Sequence, residues 1–268
     1  MNLRDRYLVK PGKKVWLKDH DPDDTAGMRE NDAEKLVKKH REKLAKLQQL
    51  LYAEHKHALL IVLQAMDAGG KDGTIRHVMS GVNPQGCSVT SFKVPSAEES
   101  DHDFLWRIHK AVPGKGQIGI FNRSQYEEVL VVRVHNLAPK SHWSKAYAQI
   151  NAFEKILAEN EVNILKFFLH IGKDEQKRRF EARRTIHDKN WKASPSDYEE
   201  RKYWDDYRKA FEEALEKCSK PDAPWYIVPA NHKWFRDVVV SDIVVKALED
   251  LKMKYPDARP ALPAAKGI

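Results

Sequence analysis

Ala58-Leu-Leu-Ile-Val-Leu63, Gln64-Ala-Met-Asp-Ala-Gly-Gly-Lys-Asp-Gly-Thr74 and Ile75-Arg-His-Val-Met79 follow one another without a break. The first six residues form a continuous apolar run, the pattern of a strand buried on both faces. The last five are helical in character. The glycine turn between them brings free backbone N–H groups and the positive end of a helix to one point, and phosphate is the ligand that geometry suits. Gly69, Gly70 and Gly73 carry no Cβ to hold a ligand away from the backbone. Lys71 supplies a point charge for phosphate oxygens. Thr74 and Arg76, just beyond the turn, are counted with the same site.

The loop departs twice from the G-x-x-x-x-G-K-[ST] pattern of phosphate-binding loops. Ala65 stands in place of the first glycine, and Asp72 in place of the Ser/Thr that touches magnesium. A carboxylate is the stronger magnesium ligand, so the second departure is chemically coherent. Asp67 and Asp72 flank one loop, and two acids beside a phosphate cradle require intervening cations. The plainer reading is a tight strand-to-helix turn with no ligand. Its position after a buried strand argues against that.

Outward from the loop, buried strands are expected at 88–92, 117–121, 162–170 and 225–229. Helices are expected at 31–54, 97–111, 124–137, 140–159, 173–187, 196–218 and 234–252. Val129-Leu-Val-Val132 looks strand-like by composition. Tyr126, Val129, Leu130, Arg133, Val134 and Leu137 nevertheless keep helical spacing, which favours a helix there. Alternating strands and helices predict one α/β domain over 1–268 with a mostly parallel sheet of about five strands covered on both faces. Residues 1–30 read as an irregular arm and 256–268 as a frayed tail. The polar, aromatic stretch after the 173–187 helix suits a lid, over about 173–207, that keeps water from a phosphoryl donor.

Phosphoryl transfer needs positive charge around the moving group. Asn122 and Arg123 follow the 117–121 strand, at the carboxyl end where open α/β sheets bind ligands. Arg133 lies ten residues beyond. A second source is Lys177-Arg178-Arg179 with Arg183-Arg184. Arg179 and Arg183 share a helix face, and packed like charges call for an anion. Pairing with Glu175 and Glu181 on a solvated helix is the plainer alternative.

The formal net charge of +8 suits a polyanionic partner: nucleic acid, anionic lipid or a phosphorylated substrate. Hydrophobic residues at 41% and charged residues at 32% describe a soluble globular chain. No apolar run is long enough to span a membrane and the first residues lack a secretory signal, so the expected location is cytoplasmic. Cys87 and Cys218 make neither a zinc quartet nor a disulfide framework. No RNA-binding, zinc or basic-helix motif supports a nucleic-acid partner.

Five ordered blocks, 66–74, 119–131, 165–170, 174–180 and 223–230, resemble the polyphosphate kinase 2 family. The similarity extends to Asp21-Pro-Asp-Asp-Thr25 and Leu50-Leu-Tyr-Ala-Glu54 and so covers nearly the whole chain. The resemblance implies a thymidylate-kinase-like P-loop fold in three layers, magnesium (or manganese), and transfer of phosphate between inorganic polyphosphate and AMP or ADP. An ATP-dependent nucleoside monophosphate kinase is the alternative. By position, Asp67 and Asp72 would bind metal and Lys71 would cradle phosphate. Asn122 and Arg123 would sit at the transferring group, with Arg133, Arg178 and Arg183 as further clamps. Arg179 is counted with the phosphate contacts, and Arg123, Tyr126, Glu127 and Arg133 with the nucleotide contacts. Asn122 with Tyr126-Glu127 resembles the class III subgroup, which phosphorylates both mono- and diphosphates. Glu128 departs from the aspartate expected there. The partners implied are polyphosphate, adenine or guanine nucleotides, and further copies of the chain in a homodimer or homotetramer.

Overall fold

In the computed structural model, residues 2–257 are described, apart from the side chains of residues 195 and 196. Five strands form one sheet: β1 Ala58–Gln64, β2 Cys87–Ser91, β3 Ile118–Asn122, β4 Val162–His170 and β5 Trp225–Pro229. Their spatial order is β2-β3-β1-β4-β5 and every pairing is parallel. The central strand β1 is buried at all seven positions, as its unbroken apolar run requires. In the register, Leu63 lies opposite Asn122, and Asn122 opposite Ser91, so three strands deliver their carboxyl ends to one place.

Helices cover both faces. On one side Lys71–Val78 packs beside Lys233–Asp250, which in turn carries Glu30–Glu54. On the other, Lys140–Glu159 packs on β4 and Trp204–Cys218 packs against it. Lys140–Glu159 buries Trp143, Ala146, Tyr147, Ile150, Phe153 and Leu157, a three-and-four spacing that makes one continuous apolar stripe. Pro139 precedes its first turn, and the chain leaves through Glu161 at φ 67°.

Three expectations are corrected. β2 is an edge strand, with Val89 half exposed, because among the described residues nothing pairs with its outer side. The 124–137 segment is helical but broken: a 3-10 turn Gln125–Val129 and a short helix Val131–Val134 meet at Leu130, whose φ of -109° and ψ of -85° fit neither. The expected 97–111 helix is two short ones, Ala97–Ser100 and Trp106–Lys110. The N-terminal arm, irregular apart from the short helix Leu3–Tyr7 and the 3-10 turn Leu17–Asp19, is docked on the body of the fold. Leu3, Tyr7, Val9, Val15 and Leu17 are buried, Leu8 bridges Tyr226, and Val9 N donates to Trp225 O at 2.9 Å. The arm therefore covers the free edge of β5. The expected tail lies, from residue 258 onward, outside the described residues.

Candidate functional site: a phosphate loop between two cavities

The turn after β1 closes through Gly69 N, which donates to Met66 O at 3.0 Å. A Cβ on Gly69 would stand 2.4 Å from Ala65 Cβ, so the loop tolerates only glycine there. Gly70, at φ 104°, is the N-cap of the Lys71–Val78 helix, and Thr74 N donates to its carbonyl at 2.9 Å. The helix start thus faces the sheet's carboxyl end, with its first amides free for an anion. Thr74 is buried and its hydroxyl donates to Gly70 O, so it serves the helix rather than the mouth. Lys71 folds back across the loop and donates from Nζ to Ala65 O at 3.1 Å. Burial, and then the Arg123 guanidinium, hold its ammonium below the ordinary lysine value, with Asp67 opposing them.

Arg123 follows β3 in the left-handed region, at φ 64°, and its N–H donates to Leu63 O. That turn aims the guanidinium at two carboxylates, with Nη2 3.3 Å from Asp67 Oδ1 and Nη1 3.4 Å from Glu127 Oε2. Burial works against its charge, but Glu127 and Asp67 outweigh burial and raise its pKa above the ordinary arginine value. Asn122 Nδ2 donates to Asp72 Oδ1 at 2.8 Å, and Lys192 Nζ reaches Asp72 Oδ2 at 3.4 Å. Burial pushes the Asp72 carboxyl up, but Asn122 and Lys192 prevail and hold it below its usual range.

Two cavities meet here. One, of about 700 Å³, is the open mouth of the loop, bounded by residues 67–73, the end of β2 with Lys93, Asn122, Arg183, and Trp191–Lys192. The other, of about 290 Å³, lies behind the start of the loop, against Glu127, Val131, His135, Glu200, Trp204 and Tyr207. His135 Nε2 lies 3.1 Å from Glu200 Oε2, and the Tyr207 hydroxyl donates to the same oxygen at 3.1 Å. Burial, then Glu200, raise the Tyr207 phenol well above its ordinary value, so it remains a donor.

The structure gathers Asp67, Gly69, Gly70, Lys71, Asp72, Gly73, Asn122, Arg123 and Arg183 around the mouth, and Glu127 around the enclosed cavity. Tyr126 and Arg133 reach neither, which corrects the expectation for both. Tyr126 is fully buried, its hydroxyl donating to Glu154 Oε1 at 2.9 Å beside Lys166. Arg133 is drawn away by Glu213 and the Tyr147 hydroxyl and lies over the Trp143 ring. Arg76 and Arg178 are exposed and line neither cavity, and Arg178 pairs with Glu175 as the plainer reading supposed. Arg179 is half-buried and reaches loop backbone, with Nη1 donating to Ala68 O at 2.9 Å and Nε to Glu175 Oε1 at 2.6 Å.

Sequence reasoning missed several residues that shape the site. Gln176 Nε2 holds Asp67 O at 3.0 Å, and Lys192 reaches Asp72. Arg236 lies against the loop from the helix after β5. Its signal was present: an Arg-Asp pair inside the otherwise apolar run Phe235 to Val240.

Among the described residues no group of three or more His, Cys, Asp or Glu is placed to hold a metal. Asp67 and Asp72 both border the open mouth, the one paired with Arg123 and the other with Asn122 and Lys192, and carboxylates are the oxygen donors that magnesium takes. Among the described residues no helix is long and apolar enough to cross a membrane.

The sequence pattern of the family described as Polyphosphate kinase 2 (PPK2) matches residues 27–256. An AMP/ADP-polyphosphate phosphotransferase of Meiothermus ruber is 51% identical over 259 residues, 96% of this chain and 97% of that one. An ADP-polyphosphate phosphotransferase of Rhodopseudomonas palustris is 53% identical over 232 residues, 82% of this chain and 80% of that one. The crystal structure of Polyphosphate Kinase 2 from Arthrobacter aurescens TC1 superposes with a TM-score of 0.92 at 43% identity, covering 95% of this chain and 92% of that one.

Proposed function

The chain belongs to the polyphosphate kinase 2 family, and from that premise we propose that it transfers the terminal phosphate of inorganic polyphosphate, reversibly, to AMP and ADP. The observation that carries this reading is the glycine loop with Lys71, Asn122 and Arg123 at the carboxyl ends of β1 and β3, open on one side to a basic mouth and on the other to an enclosed cavity. The name of the Meiothermus relative supports both acceptors.

The open mouth takes polyphosphate. Lys93, Arg183 and Lys192 rim it, and its exit to solvent lets a long chain continue outward. The enclosed cavity takes the nucleoside end of the acceptor. Trp204, Tyr207 and Val131 suit a base, and Glu127 and Glu200 accept from hydroxyl and amino groups but would repel a phosphate. The acceptor's own phosphate then lies at Arg123, between the two.

An acceptor phosphate oxygen attacks the terminal phosphorus in line. The bond from that phosphorus to the bridging oxygen breaks, and polyphosphate shorter by one unit leaves. The attacking oxygen is already ionised at neutral pH, so no strong general base is required. Lys71 and the loop amides orient the terminal group, Arg123 offsets charge developing between donor and acceptor, and the 173–207 segment excludes water. Magnesium held by Asp67 and Asp72 would supply further charge neutralisation on the phosphate oxygens.

The test is nucleotide formation, followed by chromatography, from AMP and from ADP with polyphosphate and magnesium. Wild type should yield ATP from both acceptors and Lys71→Ala from neither. Product from ADP alone would remove AMP as an acceptor. ATP-driven phosphorylation of AMP with no use of polyphosphate would overturn the reading.

A further inference from the structure

Arg236 is 1% exposed, on the Lys233–Asp250 helix, in a run of apolar side chains. A buried arginine needs a compensating anion, and Asp237 supplies it: Nε and Nη2 donate to Asp237 Oδ1 at 2.9 and 2.7 Å. The remaining nitrogen, Nη1, takes no part in that fork. It lies against the phosphate loop, so close that a Cβ on Gly70 would stand 2.3 Å from it and one on Gly73 3.7 Å. The other carboxylate oxygen, Asp237 Oδ2, meets His77 Nδ1 at 2.9 Å. Two adjacent residues of one helix thus reach the phosphate-loop helix at both its ends, at Gly70 and Gly73 in the first turn and at His77 in the last.

Stability alone does not explain this arrangement. An apolar pair of similar volume would fill the same space without the cost of burying two charges. Arg179 approaches Gly70 from a different element, its Nη1 3.6 Å from the same Cβ position, and is anchored by its own carboxylate, Glu175. Two anchored guanidinium groups therefore converge on Gly70, the N-cap of the Lys71–Val78 helix. A fixed positive charge beside the N-cap adds to the helix field, and the His77 contact fixes the direction in which the helix points.

We propose that Arg236 is a positioning residue for the phosphate loop: anchored by Asp237 and His77, it holds the loop's shape and charge for the terminal phosphate of polyphosphate. This rests on the reading of the mouth as the polyphosphate site. Arg236 acts through the loop and not on the nucleoside end, so its loss should separate the two substrates.

The experiment is steady-state kinetics of wild type, Arg236→Met, Arg236→Lys and His77→Gln, with polyphosphate and ADP varied in turn, well below each melting temperature. Arg236→Met should raise KM for polyphosphate about tenfold and leave KM for ADP within about twofold, with Arg236→Lys recovering most of the difference. His77→Gln, at a half-exposed position, should raise KM for polyphosphate about threefold, and it decides the matter if Arg236→Met does not fold. Polyphosphate KM unchanged in the folded variants, or both KM values raised by one factor, would overturn the proposal. A wild type that makes no use of polyphosphate would instead sink the functional reading itself.

Discussion

Arg123 Nη2 lies 3.3 Å from Asp67 Oδ1, and these two residues are shared by the open mouth and the enclosed cavity. A cation that joins two binding spaces stands where a group passes from one to the other. Arg123→Gln should therefore lower kcat by roughly 10²- to 10³-fold, the scale of removing a charge stabiliser from a transfer site. The side chain is 41% exposed, so the melting temperature should hardly move. A folded variant with near-wild-type kcat would show that transfer occurs elsewhere.

The two cavities can be tested separately. Lys93→Ala removes a cation from the rim of the mouth and should raise KM for polyphosphate about threefold, with a shallower dependence on salt. Val131→Phe fills the enclosed cavity and should raise KM for ADP by about tenfold or more. Opposite assignments of the two effects would reverse the proposed occupants.

Lys166 is wholly buried and is held by Glu154, the Tyr126 hydroxyl at 2.9 Å and Cys218 O at 2.7 Å. Removing one partner leaves an uncompensated buried charge. Lys166→Met should destabilise the chain by about 3–5 kcal/mol, measured by urea unfolding. Lys166→Met with Glu154→Leu should recover much of that loss, and a double variant as unstable as the sum of the singles would rule out coupling.

β1 and β5 were legible because an unbroken apolar run is hard to read otherwise. Residues 162–170 and 225–229 appear with the expected bounds, and β1 is extended by one residue. Asp67, Lys71 and Asp72 were legible as neighbours because loop chemistry is local: glycine, charge and the preceding strand are contiguous. Arg123 was placed near them by the separate rule that parallel strands present their carboxyl ends together. Arg133 was misread because its spacing fixes a helix face but not what that face meets, and Glu213 is far away in sequence. Arg236 was overlooked for the converse reason, since only the folded chain brings it under Gly70. The arm was undervalued because its apolar residues are scattered among charges, and their partner is the edge of the last strand.

Stability should also depend on acidity through His170. Burial holds this imidazole down to about 4 against an ordinary 6.5, although its Nε2–H donates to His20 O at 3.0 Å. The unfolded chain takes up the proton first, so the contribution is intact above about 6.5 and is lost as pH falls towards 4. His170→Gln should reduce the loss of stability between pH 7 and pH 4.5 by roughly 2 kcal/mol, read from urea midpoints. An unchanged pH dependence would mean that His170 is already solvated.

Lys192 of the 173–207 segment reaches Asp72 of the loop, and Arg183 pairs with Asp197 at 2.7 Å within the segment itself, so a charged contact ties the segment to the loop at this point. Polyphosphate with ADP should slow proteolytic cleavage around residues 186–194 by about tenfold at low salt. Equal cleavage rates with and without substrates would remove the lid.

The docked arm carries a consequence for synthesis. Arg4 Nε donates to the Tyr226 hydroxyl across 222 residues. On the ribosome the first residues emerge with Leu3, Tyr7 and Val9 uncovered, and they wait for nearly the whole chain before their partner strand exists. Residues 4 to 9 therefore cannot be secured until residues 225 and 226 have emerged, and until then the apolar side chains among them are open to chaperones.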